Sequence, residues 1–168
     1  MPETPHTIID VHIILERDDL ILLTEHKGTY GNGMWHLPSG KLEHGESLPH
    51  GAAREALEEV GVEIDQADLR IVYTIYVTGP GPDARLGFFF ATDRWTGESV
   101  NRERGKCSEI TWFPRNALPS AVIEYPLTGI HGSQATATLS ILSWDEERAA
   151  GCGRHMELLI EGRRQAPV

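Results

Sequence analysis

Gly40-Lys41-Leu42-Glu43-His44-Gly45-Glu46-Ser47-Leu48-Pro49-His50-Gly51-Ala52-Ala53-Arg54-Glu55-Ala56-Leu57-Glu58-Glu59-Val60-Gly61-Val62 is the stretch from which the rest of the chain can be read. Its second half is written as a helix. Ser47 stands where an N-cap belongs, and Gly61 where a left-handed residue ends the last turn. Ala52, Ala56 and Val60 recur every four residues and make one apolar stripe. The pattern predicts a helix from about Ser47 or Leu48 to Val60, packed by that stripe on a sheet. Residues three and four apart share a helix face, so Glu55, Glu58 and Glu59 project together with Arg54 beside them. Crowded carboxylates repel unless something positive joins them, and hard divalent cations take oxygen ligands. Taken alone, glutamates on a helix are usually a solvated face, where a like-charge pair costs only about 0.2–0.5 kcal/mol. Gly40 and Glu46, at set distances upstream, turn the cluster into a framed pattern.

Working outward, residues 7–16 (TIIDVHIILE) are β-branched and partly alternating, and residues 20–24 form a short apolar run. They read as two strands joined by the polar turn Arg17-Asp18-Asp19. Residues 28–33 hold three glycines and an asparagine and read as a loop. Further strands are expected at 69–77 and 86–92, separated by the turn-rich Gly79-Pro80-Gly81-Pro82, and at 109–113. Residues 119–130 suggest a second helix, kinked or split at Pro126. Residues 136–144 read as a strand or an irregular arm, and the charged tail beyond Trp144 has no assignment. Strands on both sides of a central helix imply an α/β (α+β) fold with a central mixed sheet. With 168 residues, a single domain spanning 1–168 is the expectation, residues 145–168 being of undefined structure.

The formal net charge is −10, from 15 Lys+Arg against 25 Asp+Glu. That balance argues against sequence-independent binding to nucleic acid polymers or anionic membranes, both of which need basic patches. It also sets an acidic protein against any phosphate substrate, a conflict that bound cations would relieve locally. No apolar run approaches the roughly 18 residues of a spanning helix, and residues 1–10 lack the pattern of a secretion signal. Two cysteines, Cys107 and Cys152, do not make a disulfide framework, which points to a reducing cytoplasm. The eight histidines show no Cys/His spacing of a structural zinc site.

The framed pattern, Gly40, Glu46 and then Arg54-Glu55-Ala56-Leu57-Glu58-Glu59-Val60-Gly61-Val62, resembles the signature of the Nudix hydrolases, of the MutT-like kind. Ala56 departs from it, standing where the family carries a bulkier aliphatic residue; a smaller core contact is expected there. The signature covers about a seventh of the chain, with looser likeness in residues 33–40 and 101–113. The resemblance implies an α/β/α sandwich and a Mg2+- or Mn2+-dependent hydrolase of phosphoric anhydrides. Glu55, Glu58 and Glu59 would hold divalent ion at the phosphate bridge, with Glu55 as ligand or as proton acceptor. Arg54 would fix the glutamates with Glu46 as its partner. Gly40 would turn the backbone so that a nearby main-chain carbonyl reaches the ion, and Gly61 would end the helix. Glu103 is the first candidate for an acidic residue from outside the helix, Glu109 the second. Both have the alternative of being surface charges.

For the substrate, Tyr30, Trp35, His36 and Lys41 are the candidate contacts, each open to a packing or solvated role. Lys106 and Arg104 could meet phosphates. Phe88 and Phe90 fall on one face of their strand and Phe89 on the other. The expected reaction cleaves a nucleoside triphosphate, oxidised or modified forms included, to monophosphate and pyrophosphate. An ADP-ribose or nucleotide-sugar pyrophosphatase is the enzymatic alternative. A module that senses nucleotides without cleaving them is the alternative from another class, although such domains typically lose signature glutamates. A diphosphate isomerase would need a catalytic cysteine, for which Cys107 is the candidate. Proteins of this kind often dimerise, which leaves a homodimer open.

Overall fold

The computed structural model describes residues 6–29, 31–78, 84–145 and 155–163, as backbone alone from 144 onward. The strands are β1 (Thr7–Arg17), β2 (Leu20–His26), β3 (Trp35–His36), β4 (Ser39–Lys41), β5 (Arg70–Thr78), β6 (Ala84–Thr92), β7 (Cys107–Pro114), β8 (Ala137–Asp145) and β9 (His155–Arg163). Helix α1 (Leu48–Val60) lies between β4 and β5, α2 (Glu124–Gly132) between β7 and β8, and a 3-10 turn spans Gln66–Asp68. The strands run in the order β3-β2-β1-β6-β5-β8-β9, with β4 on β1 and β7 on β2. The sheet is mixed: β1 with β6 and β5 with β8 are parallel, and the other pairs are antiparallel.

Strand alternation divides the core into two layers. Val11, Ile13, Leu15, Leu22 and Phe90 pack with Ala52, Ala56 and Val60 of α1. Ile14, Ile21, Leu23, Phe89 and Ala91 pack on the opposite side with Val122 and Ile130, near α2. Phe89 and Phe90 thus point to opposite faces, as alternation requires. Each large aliphatic side chain buried in these layers contributes roughly 1.5–3 kcal/mol. Ala56 is fully buried, so the smaller residue still packs. Helix α2 comes very close to the sheet; a Cβ on Gly129 would lie 2.0 Å from the Phe89 ring.

The β1–β2 hairpin turns on Asp18 at φ 54°, a left-handed position that a short polar residue tolerates. Several boundaries differ from the sequence reading. The second helix begins at Glu124 rather than 119, because residues 121–123 run beside β3: the Trp35 N–H donates to Ala121 O (2.8 Å) and the Ile123 N–H to Trp35 O (2.9 Å). Pro126 does not kink the helix. It is the third residue of α2, where the backbone N–H has no intrahelical acceptor to lose. Residues 137–145 form a strand, parallel to β5, and part of the tail pairs with it as β9. No helix among the described residues is long and apolar enough to cross a membrane.

Candidate active site

Helix α1 carries the acidic cluster, and its two ends are fixed by the caps legible in its sequence. Ser47 Oγ accepts from the His50 N–H (3.4 Å), and Gly61, at φ 74°, donates its N–H to Leu57 O. The next segment finishes the C-terminal end: the Val100 N–H donates to Val60 O (2.9 Å) and the Arg102 N–H to Glu59 O (3.0 Å). Those two bonds hold the 98–106 loop against the helix and bring Glu103 to Glu59.

Arg54 organises the N-terminal half of the cluster. Its Nε and one terminal nitrogen grip both oxygens of Glu46 (2.8 and 3.0 Å). Its other terminal nitrogen donates to Glu55 (2.7 Å) and Glu58 (3.2 Å), while the terminal nitrogen on Glu46 also donates to Lys41 O (3.1 Å). Glu46 in turn accepts from the Glu43 N–H and from His50 Nδ1. The Arg54 bonds, ahead of all else, hold the Glu46 carboxyl at about 2. This charge-assisted, two-pronged grip is the geometry for which arginine is suited.

Gly40 is needed for space. An added Cβ would lie 1.9 Å from Glu55 Oε1 and 2.0 Å from its carboxyl carbon. Gly40 is absent from the positive-φ residues of the described chain and sits in β4, opposite Val11. The sharp backbone turn expected of it is therefore replaced by a different demand: room for a carboxylate.

Glu59 sits deeper. Its Oε2 accepts from the Ser39 N–H (3.1 Å), and it lines a cavity of about 270 Å3 with Thr24, His26, His36, Ser39, Glu103, Lys106 and Cys107. Burial, followed by the charges of Glu55 and Glu103, pushes its carboxyl up to about 8. Burial also raises Glu55, against the opposing pull of Arg54. Glu58 is the outermost of the three, with 55% of its side chain exposed. The helix thus separates its glutamates: Glu55 lies against Gly40, Glu59 lines the cavity, and Glu58 faces outward. Glu103 is bound by Lys106 Nζ at 2.8 Å.

In this arrangement each carboxylate already has a partner. Among the described residues, no three His, Cys, Asp or Glu side chains are gathered closely enough to hold an ion as they stand. The donor set nevertheless fits a hard divalent cation. Glu55, Glu59 and Glu103 would all offer oxygen, and the two on the helix are pushed toward protonation, by burial first and by neighbouring carboxylates second. A positive ion would oppose that push.

A family model for the NUDIX domain matches residues 6–129, well over half of the chain. The chain belongs to the NUDIX family. Among curated NUDIX relatives, the uncharacterized Nudix hydrolase YvcI of Bacillus subtilis is 33% identical over 108 residues, 62% of this chain and 65% of that protein. An 8-oxo-dGTP diphosphatase of Buchnera aphidicola is 31% identical over 78 residues, 46% of this chain and 60% of that one. An ADP-ribose pyrophosphatase of Methanocaldococcus jannaschii is 30% identical over 123 residues, covering 71% and 69%. The chain spans less than two thirds of the length of the first two of these relatives and slightly more of the third. A solved MutT NUDIX hydrolase from Burkholderia pseudomallei shares the fold, with a TM-score of 0.70 at 20% identity, covering 76% of this chain and 98% of that one.

Other residues expected at the NUDIX site fall in varied places. His36 lines the cavity; burial lowers its imidazole to about 4, and it bonds to Leu37 O at 2.7 Å. It is therefore a neutral, oriented ring at physiological pH. Trp35 lies outside the cavity lining and packs edge-on against Phe113 (4.8 Å between centroids) in the α2-side core. Lys41 is exposed at the end of β4 and contributes its carbonyl to Arg54. Tyr30 and Cys152 lie outside the described residues. Glu109 accepts from the Thr111 hydroxyl and is exposed on β7, outside the cavity lining. Arg104 is exposed on the loop.

Thr24, His26 and Ser39 line the cavity without having been singled out from the sequence, since β2 and β4 supply them from outside the helix that carries the acidic cluster. A further cluster was also missed. Asp10, 2% exposed, accepts from Tyr125 Oη (3.2 Å), pairs with His12 Nε2 (3.0 Å) and is bonded by Arg85. Burial would raise the Asp10 carboxyl, but His12 and Arg85 together hold it below its usual range. His12 stacks on Phe89 at 4.5 Å. Two ionisable residues inside an apolar strand were the available signal.

Proposed function

We propose that the chain is a divalent-metal-dependent pyrophosphohydrolase that cleaves nucleoside triphosphates, oxidised or modified ones included, to the monophosphate and pyrophosphate. The observation that carries this reading is the meeting of Glu59 and Glu103 in one cavity, with Glu55 seated against Gly40 and clamped by Arg54. All the signature carboxylates are present: Glu55, Glu58 and Glu59 sit on a helix capped at both ends, and Glu46 lies just before its N-cap. A nucleotide sensor has no need of that set.

Mg2+ is the ion we assign, with Glu55, Glu58, Glu59 and Glu103 as the side chains that would hold it and a main-chain carbonyl near Gly40 as a further donor. When bound, such an ion neutralises phosphate charge and makes a water more acidic. The protein's own part is positioning. Arg54 orients Glu55 and Glu58, and the Ser39 N–H orients Glu59. Glu55 and Glu103 are the candidates to accept the proton of a water that attacks phosphorus in line. Neutral His36, at the cavity wall, would contact the rest of the nucleotide, with Trp35, Tyr30 and Lys41 as further candidates.

The relatives named for 8-oxo-dGTP support a triphosphate substrate. The relative named for ADP-ribose, which aligns over more of the chain, keeps a dinucleotide-type substrate as the second reading. An isomerase that uses Cys107 is disfavoured. Burial raises that thiol, and it donates to Glu109 O (3.1 Å), so it is held protonated. A free thiol there is in keeping with a reducing, cytoplasmic setting.

The test is a panel of nucleoside triphosphates (8-oxo-dGTP among them), ADP-ribose and nucleotide sugars, with and without Mg2+, and with products separated by anion exchange. Monophosphate plus pyrophosphate from triphosphates supports the reading. Two monophosphates from ADP-ribose alone would replace it with the second. Binding across the panel without turnover would favour a sensor.

A further inference from the structure

We infer that Lys106 is a tethered counterion for the metal-free site, an ammonium that holds Glu103 until a divalent ion takes that carboxylate in exchange. The inference rests on the metal-dependent reading above and concerns how the site is kept when no ion is present.

Five carboxylates, Glu46, Glu55, Glu58, Glu59 and Glu103, surround the α1 end of the site. Arg54 is committed to three of them and to Lys41 O. That leaves Glu59 and Glu103, which line the cavity together with one cation, Lys106. Lys106 Nζ bonds Glu103 Oε1 at 2.8 Å, and its charge also acts on Glu59 and Glu55.

The backbone shows the pairing to be built in. The N–H groups of Lys106 and Cys107 both donate to Glu103 O (2.8 Å each), closing a turn that sets residues 103 and 106 side by side. The Arg102 N–H is tied to Glu59 O, and Lys106 O accepts from the Lys27 N–H (2.6 Å). Both ends of the turn are therefore anchored, one to the helix and one to the end of β2.

The bond is also weak enough to exchange. The Lys106 side chain is 73% exposed while that of Glu103 is 29% exposed, and open pairs of this kind are worth little. A lysine with a long, flexible stem can leave a carboxylate without moving the loop. A divalent ion held by Glu59 would share the cavity with the Glu103 carboxylate and with a lysine able to swing away.

Mn2+ titration of the full chain, with free Mn2+ read by electron paramagnetic resonance, tests the exchange. Wild type, K106M, K106Q, E103Q and K106M/E103Q are compared at one pH and ionic strength. K106M and K106Q should bind Mn2+ about three- to tenfold more tightly than wild type, because the competing cation is gone. In the E103Q background the same lysine substitution should gain less than about twofold, since the contested carboxylate is absent. Unchanged or weaker binding in both lysine variants would overturn the assignment. So would an equal gain with and without the Glu103 carboxylate. If wild type itself fails to bind Mn2+, the metal-dependent reading falls, and this inference with it.

Discussion

Replacing Gly40 by alanine adds one methyl group where the structure leaves no room. The new Cβ would stand 1.9 Å from Glu55 Oε1 and 2.4 Å from Oε2, so the whole carboxylate must move. Moving it breaks the 2.7 Å bond from Arg54. Overpacking of this kind costs roughly 1–3 kcal/mol, and a lost bond between charged partners roughly 1.5–3 kcal/mol. Because the obstructing atoms are the far end of a flexible side chain, which can swing aside, about 2–3 kcal/mol in total is expected for G40A. The backbone at 40 is not left-handed, so alanine carries no conformational penalty of its own. The penalty should therefore vanish when the obstructing side chain is removed. In urea denaturation, G40A introduced into E55A should cost less than about 1 kcal/mol. An equal penalty in the two backgrounds would show that residue 40 is a glycine for some reason other than the space taken by Glu55.

Acid sensitivity should follow Glu46. Its folded carboxyl is held at about 2, below the ordinary 4.5, so its contribution is present above 4.5 and disappears as pH falls from 4.5 through about 2. E46Q should therefore unfold at lower temperature than wild type at pH 7, with the two melting curves converging toward pH 2; a gap independent of pH would refute the clamp. In the second cluster, D10N leaves Arg85 and His12 without their buried anion and should cost on the order of 3 kcal/mol in chemical denaturation. Y125F removes one bond to the same carboxylate and should cost about 1 kcal/mol. A D10N variant as stable as wild type would mean the network is not an ion pair.

What could be read from the sequence was whatever local physics decides. Ser47, Gly61 and the Ala52-Ala56-Val60 stripe define α1 because capping and periodicity are short-range. Apolar runs, β-branched in β1 and β5, likewise mark β1, β2, β5 and β6. The Arg54–Glu46 partnership followed from the resemblance, and the structure has it. The start of α2 differs because residues 121–123 bond to Trp35 of β3, a long-range pairing, and the kink expected at Pro126 is absent because a proline in a first turn breaks nothing. The cavity was only partly legible. Glu59 and Glu103 meet through backbone bonds from residues 100 and 102 to the last turn of α1, and no sequence pattern announces such bonds. The same holds for Ser39, which acts through its N–H, an atom that every residue except proline carries. The shared apparent face of Glu55, Glu58 and Glu59 was resolved by the strand beneath it: β4 takes Glu55, the cavity takes Glu59, and Glu58 is left at the rim.

Hydrolysis of a nucleoside triphosphate by wild type and E59Q, with and without Mg2+, bears most directly on the role given to α1. Glutamine at 59 still accepts from the Ser39 N–H, so the variant should keep the wild-type circular dichroism spectrum. Pyrophosphate and monophosphate should appear in equal amounts from wild type with Mg2+ and stop on addition of EDTA. In E59Q, kcat should fall by orders of magnitude. Turnover by E59Q at the wild-type rate, or wild-type turnover that persists in EDTA, would contradict the assignment of these carboxylates to a divalent ion.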